Sequence, residues 1–332
     1  MNDRLPDYHT IEAALALAVR APSVHNTQPW RFRIGDRGLH LYLDPARALP
    51  STDPDQRDLV LSCGAALHHL RIALAGLGWS AVVQRLPDAV NPNHLASIEL
   101  VPHRPTMTDT ALSAAITRRQ TDRRHYSSRP IPPGYLGLLA ERAGVHGGIV
   151  RQAAYGSRDQ LVEAMRAAAR QHSGDPNYQF ELAAWSGRHD AVHGVPALNA
   201  LPPLAAQRVP ARAFAQHRLV DPKREPDYAE LLVLGTTADD RLARLCAGEA
   251  VSAMLLTATN IGLATCLVTE PLEIPELRKK IRVGVLDNTT HAQAVIRIGW
   301  LPTGLAALPP APRRAVEDVL DPFDATEIAT AR

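Results

Sequence analysis

Cysteine is scarce in this chain, with only Cys63, Cys246 and Cys266 in 332 residues. Their odd number and wide spacing exclude a disulfide framework and a CxxC metal knuckle, and they suit a reducing compartment. An excess of one charge is lacking too: 36 Lys and Arg stand against 34 Asp and Glu, a net charge of +2. That balance offers no concentrated basic surface for nucleic acid, so an anionic partner has to be met by local arginines. No run has membrane character either. The longest uncharged stretch, 251–268, contains Ser252, Thr257, Thr259, Asn260, Gly262 and Thr265 and reads as a buried helix. The opening MNDRLPDYHTIEAALA has no basic start leading into an apolar core, so no secretory signal is expected and the chain reads as cytoplasmic. Absent as well are GxGxxG, GxxxxGK[ST] and GxSxG in a strand-to-helix setting, which removes the minimal parts of Rossmann, kinase-like and hydrolase readings. His189 and His193 stand four apart, but Gly187, Gly194 and Pro196 oppose a helix there and no HExxH frame exists, so no metal is expected.

What is present is an alternation of helical and strand patterns, punctuated by 27 prolines. Helices are expected at 9–20, 58–78, 109–118, 134–143, 157–171, 246–262 and 275–281. Strands are expected at 30–34, 39–43, 80–86, 96–101, 230–235 and 292–299, with a helical turn near the end. The segment 172–226, rich in His, Pro, Gly and Trp, reads as irregular, and a loop of that length is a lid candidate. Two stretches look like copies. Gly64, Ala66 and Gly78 recur as Gly248, Ala250 and Gly262 at a common offset of 184, and RAPSVHN at 20–26 echoes RAGVHG at 142–147. The order of these matches implies an α+β chain of two diverged halves, 1–108 and 109–332.

Two segments carry the chemistry. Ala21 to Trp30, APSVHNTQPW, is a helix end, a polar turn and a strand start, which gathers backbone N–H groups, the Ser23 hydroxyl and the Asn26 and Gln28 amides. Such a turn suits a planar heteroaromatic ligand. It equally suits a capping turn with Trp30 in the core. The second, RRQTDRRHY at 118–126, offers guanidinium forks that match phosphate oxygens, or else the solvated end of a basic helix.

The first segment resembles the APS-x-x-N-x-QPW motif of the FMN-dependent nitroreductase family, and the second is similar to that family's RR-S-x-R element. The resemblance spans roughly 10–320 and extends to the fused pseudo-dimer, Acg-type branch of the family. It implies a nitroreductase-like fold in which Pro22, Ser23, Val24, His25, Asn26 and Gln28 meet the flavin, Arg119 and Thr121 the FMN phosphate end, and Arg123 the ring. Thr269, Glu270, Pro271 and Leu272 align with a turn that contacts flavin N5 and O4, although Pro271 lacks the N–H of the glycine common there. Arg313 and Arg314 align with basic residues that close over the phosphate. The first half has the turn but no arginine element before it, and the second has the arginines but a degraded turn at 143–148, so one intact site per chain is expected. The implied activity is electron transfer from NAD(P)H through FMN to a small-molecule acceptor, a nitroaromatic or a quinone, with no catalytic side chain required. FMN sequestration under the lid, with little turnover, stands as the alternative. The internal pseudo-dimer implies that a monomer can function, with further oligomerisation open.

Overall fold

The computed structural model describes residues 5–35, 38–187, 191–202, 209–221 and 226–321. Parts of the lid candidate, 188–190 with His189, 203–208 and 222–225, lie outside the described residues. Eighteen elements follow in chain order: α1 (Tyr8–Ala18), β1 (Trp30–Gly35), β2 (Gly38–Leu43), α2 (Arg57–Gly76), β3 (Trp79–Arg85), β4 (His94–Pro102), α3 (Met107–Arg118), α4 (Pro133–Gly144), β5 (Ile149–Gln152), α5 (Tyr155–Ser173), α6 (Pro176–Ala184), β6 (Glu230–Thr236), α7 (Arg241–Asn260), β7 (Ala264–Val268), α8 (Pro275–Gly284), β8 (His291–Gly299), α9 (Val316–Val319) and β9 (Leu320–Asp321).

The strands form two sheets. One has the order β3-β4-β2-β1-β9, the other β7-β8-β6-β5. Apart from β9, the two orders are the same when the fifth to eighth strands replace the first to fourth, and every pair among them is antiparallel. The last strand crosses back: β9 pairs parallel with β1 through Phe32 and Arg33.

Between the sheets run α2 and α7, both apolar almost all round and therefore buried on nearly every face. Both are long and apolar enough to cross a membrane by composition, yet most of each apolar stretch is buried inside the fold. Glycine lets them touch. A Cβ on Gly64 would lie 2.0 Å from the Leu245 carbonyl oxygen, and a Cβ on Gly248 would lie 2.0 Å from that of Leu61. Leu61 and Leu245, like Gly64 and Gly248, differ by the offset of 184 already visible in the sequence. The two contacts are therefore reciprocal, Gly64 against Leu245 and Gly248 against Leu61.

Caps follow the sequence. Asp7 accepts from the Thr10 N–H, Thr106 and Asp109 form a capping box, and Asp240 accepts from the Ala243 N–H. The Asp240 cap starts α7 five residues before the expected 246. Three further differences are clear. The 172–226 segment is not irregular throughout, because Asp175 caps α6 and Pro176 fills its first position. Strands β5 and β7 escaped the pattern reading because four or five residues give too little alternation to register. The helical tail amounts to one turn, α9, before the chain joins the sheet.

Candidate functional site

The turn after α1 is strained. His25, Asn26 and Gln28 have φ of 47°, 54° and 53°, a left-handed region that side chains other than Asn, Asp and Gly seldom occupy. Surrounding groups hold it there. The Ser62 hydroxyl of α2 accepts from the Val24 N–H at 3.1 Å, and the Ser23 hydroxyl accepts from the Gln28 N–H at 3.0 Å. The Asn26 amide donates to the Gly194 and Pro312 carbonyls and accepts from Arg313, while the Gln28 amide donates to Val192 and accepts from the Arg314 N–H. Both amides thus bind the chain's own lid segment and tail.

The turn borders an elongated cleft with two chemically different ends, which share Pro22, Ser23, His25, Thr121 and Arg123. One end is cationic. Arg20, Arg119 and Arg313 line it, with Asn26, Gln120 and the Pro310–Ala311 backbone. Their guanidiniums reach only carbonyls and the Asn26 amide: Arg119 and Arg313 donate to Arg20 O at 3.4 and 3.2 Å, and Arg20 to Thr117 O. The Nε atoms of all three are buried with no hydrogen-bond partner among the described residues. Burial and then the neighbouring arginines push Arg119 down to about 10 and Arg313 to about 9. At either value the guanidinium is charged at neutral pH. Among the described residues no carboxylate pairs with these three cations, so the end is built for an incoming anion.

The other end is a slot. Val24, Leu61, Leu267, Val268 and Phe214 supply apolar walls, and Asp58, Ser62, Thr269, Arg212 and Arg297 polar ones. Arg123 stands between the ends, donating to Asn199 O at 2.9 Å with its guanidinium carbon 4.9 Å from the Phe214 ring centre. Arg212 and Phe214 come from the lid candidate. Arg212 is paired with Glu273 and donates to the Tyr178 hydroxyl at 2.6 Å and to His25 Nε2 at 2.8 Å. Burial, reinforced by Arg212 and Arg123, holds His25 well below the usual imidazole range. Neutral His25 that accepts at Nε2 carries its proton on Nδ1, and Nδ1 has no hydrogen-bond partner among the described residues.

Of the residues singled out from sequence, the cleft brings together Pro22, Ser23, Val24, His25, Asn26, Arg119, Thr121, Arg123, Thr269 and Arg313. It does not bring in Gln28, Glu270, Pro271, Leu272 or Arg314. Leu272 is fully buried, Glu270 lies 3.5 Å from His172 Nδ1, and Arg314 lies 3.6 Å from Asp44 and also donates to the Asp318 carbonyl. Pro271 sits within the helical turn behind Thr269. The sequence reading missed Arg20, Asp58, Ser62, Arg212, Phe214 and Arg297. For Asp58 and Ser62 a signal existed: they are polar interruptions four apart in an apolar helix, and so lie on one face. Arg212 carried none.

No protein-family model matches the chain. A Mycobacterium tuberculosis (strain H37Rv) protein with the provisional name NAD(P)H nitroreductase is 47% identical over 324 residues, 97% of this chain and 94% of its own. A second from that strain, provisionally named NAD(P)H nitroreductase acg, is 34% identical over 326 residues, 96% and 97% of the two chains. Among solved structures, a nitroreductase-named protein from Anabaena variabilis covers 90% of each chain at a TM-score of 0.47 and 10% identity. The FMN-dependent nitroreductase NfnB from Mycobacterium smegmatis, in complex with NADPH, covers 68% of this chain and 98% of its own at 0.36 and 15%. The relatedness to the two tuberculosis proteins runs nearly end to end, and the chain therefore belongs to the nitroreductase family.

Proposed function

We propose that the cleft holds one FMN and that the protein is an NAD(P)H-dependent reductase of small electron-poor acceptors. The observation that carries this reading is the three-arginine end without a counter-ion, joined to an apolar slot. The fit is good on both counts: orphaned, buried guanidinium N–H groups suit a phosphate, and a slot walled by Leu61, Leu267 and Phe214 suits a flat ring. Arg20, Arg119 and Arg313 would bind the phosphate. Arg123, Thr121 and the backbone of Ser23 to His25 would orient the ring. When bound, FMN supplies two-electron transfer between a reduced nicotinamide and the acceptor. Asn26, Gln28 and Arg314 act by fastening the tail and lid to the strained turn. Buried free thiols at Cys63 and Cys266 suit a reducing, cytoplasmic setting.

The pseudo-dimer reading is part of the proposal, with the halves dividing near 108. Its support is the matching strand order and the reciprocal Gly64 and Gly248 contacts. At the offset of 184, Thr269 corresponds to Arg85 and Ser62 to Cys246. There Arg85 and Arg71 clamp the fully buried Glu249 carboxylate at 2.6 and 2.9 Å, so that position holds an internal carboxylate in place of a ligand. The purified protein should be yellow and release one FMN per chain on denaturation. Two per chain would refute the single site.

Turnover is tested by mixing the protein anaerobically with NADPH and following the flavin absorbance, which should bleach. No bleaching over hours would overturn the reductase reading in favour of FMN retention without turnover. The lid offers a further test. Arg212→Ala removes the contacts to Glu273, Tyr178 and His25, and should speed bleaching by about 10-fold if lid opening limits access. A stopped-flow rate equal to that of the unaltered protein would show that Arg212 does not gate the slot.

A further inference from the structure

Two polar groups on the cleft wall lack partners, one a donor and the other an acceptor. The donor is His25, 6% exposed and shared by the slot and the cationic end, so it stands where the two meet. Arg212 Nη1 lies 2.8 Å from its Nε2. A guanidinium only donates, so Nε2 accepts, the ring is neutral and the proton sits on Nδ1. That Nδ1–H is buried and meets no acceptor among the described residues. The acceptor is Asn199, 5% exposed and lining the cationic end. Its Nδ2 donates to the Pro309 carbonyl at 3.1 Å, and a carbonyl only accepts, which fixes the way round the amide stands. The backbone of Asn199 is held as well: its N–H donates to Pro196 O and its carbonyl accepts from Arg123, both at 2.9 Å. Oδ1 alone is left over, buried and with no donor among the described residues.

We propose that Asn199 and His25 bind hydroxyl groups of the polyol linker between the ring and the phosphate of the ligand, which makes the lid segment part of the cofactor site: Asn199, from the lid, accepts from one hydroxyl, and His25, whose tautomer the lid's Arg212 sets, donates to another.

This rests on the proposed function, which puts a phosphate among Arg20, Arg119 and Arg313 and a flat ring in the slot. Between those two groups FMN carries a ribityl chain, and each of its hydroxyls can donate and accept. The two unpartnered groups select that chemistry. An anion is repelled by the amide oxygen of Asn199, and an apolar linker leaves a buried donor and a buried acceptor both unsatisfied. A hydroxyl serves either. The lid thus reads the linker twice, directly through Asn199 and indirectly through Arg212, which is a positioning residue. Without Arg212 the imidazole is free to carry its proton on Nε2, which turns Nδ1 into an acceptor and removes the donor from the linker.

The test is a competition. The full chain is equilibrated with a mixture of FMN and an analogue in which an unsubstituted alkyl chain ending in phosphate replaces the ribityl phosphate, and the ratio bound is read after denaturation. The unaltered protein should favour FMN by about 100-fold, about 10-fold for each of two buried hydrogen bonds. Asn199→Leu and His25→Leu should each lower that preference about 10-fold. His25→Asn keeps an amide N–H near the place of the imidazole Nδ1–H and tolerates the left-handed φ of 47°, so it should restore most of the preference lost in His25→Leu. Damage to the fold weakens both ligands alike and leaves the ratio untouched. Arg212→Ala should lower the ratio as His25→Leu does, and nitrogen-15 spectra should show His25 leaving the Nδ1–H tautomer. Equal binding of the two ligands by the unaltered protein, or a preference that Asn199→Leu and His25→Leu leave intact, overturns the linker site. An unchanged ratio and tautomer in Arg212→Ala overturns the positioning role. A chain that binds neither ligand overturns the proposed function itself, whereas a chain that binds FMN and its analogue equally overturns this inference alone.

Discussion

Arg119→Ala is expected to leave the protein colourless after dialysis. The guanidinium is buried between Arg20 and Arg313 with its Nε unpartnered, so a phosphate at that end gains a charge-assisted contact sheltered from water. Truncating one side of such a buried pair costs about 3 kcal/mol, which weakens Kd by roughly two orders of magnitude. The sign of the accompanying stability change separates this role from a structural one. Without ligand, three like charges repel one another in a poorly solvated place, and burial plus Arg20 depress Arg119. Removing one cation should therefore leave the thermal midpoint of the flavin-free protein unchanged or raised, even as FMN affinity collapses. Arg119→Lys keeps the charge but loses the fork, and should fall between the two. Fluorescence titration with FMN gives Kd, and calorimetry of the flavin-free form gives the midpoint. Wild-type occupancy in Arg119→Ala would remove Arg119 from the phosphate site.

Short contiguous patterns made this cleft legible in sequence. The turn at 21–30 and the arginines at 118–124 each pack their chemistry into about ten residues, and the structure sets Ser23, Thr121 and Arg123 along the same walls. The hairpin at 30–43 and the central helices were legible too, because strict alternation and all-round apolarity are local properties. What stayed hidden depends on distance along the chain. Asn26 and Gln28 look like ligand-facing amides, yet their partners are Gly194, Pro312 and Arg314, more than 160 residues away. Arg212 reaches the slot because residues 209–214 fold back over it, and Glu273 fixes it there. Asp58 shows as a polar residue in a helix, but that Arg57 is its neighbour at 3.8 Å and that its oxygens have no hydrogen-bond partner among the described residues are properties of packing alone. The two-residue strand β9 has no signature of its own, since only its place beside Phe32 makes it a strand.

Gly248→Ala is expected to destabilise the protein strongly. The added Cβ would sit 2.0 Å from the Leu61 carbonyl oxygen and 2.9 Å from the Ala65 nitrogen, both backbone atoms of α2 with no rotamer to escape into. The helices must part along their length, which opens gaps among side chains such as Leu61, Val251 and Leu255 that are at most 3% exposed. Overpacking costs about 1–3 kcal/mol where side chains can yield. Here the obstacle is main chain, so a loss of about 4 kcal/mol is expected, in the range reserved for core disruption. Gly64→Ala meets the Leu245 backbone oxygen at the same 2.0 Å and should cost about the same, because the obstacle is again main chain. Gly137→Ala is the opposite case. Nothing lies within 4 Å of its added Cβ, and alanine in that exposed helical position should stabilise by about 0.5–1 kcal/mol. Urea unfolding of the three variants reads these differences directly. Equal losses at Gly64 and Gly248 would support the proposed pseudo-two-fold packing, whereas a cost at one position alone would count against it. FMN retention then adds a second axis to the comparison, because Ser62 of α2 holds the Val24 N–H in the strained turn. Any displacement of α2 moves that hydroxyl, so both substitutions should weaken FMN along with stability, while Arg119→Ala separates the two.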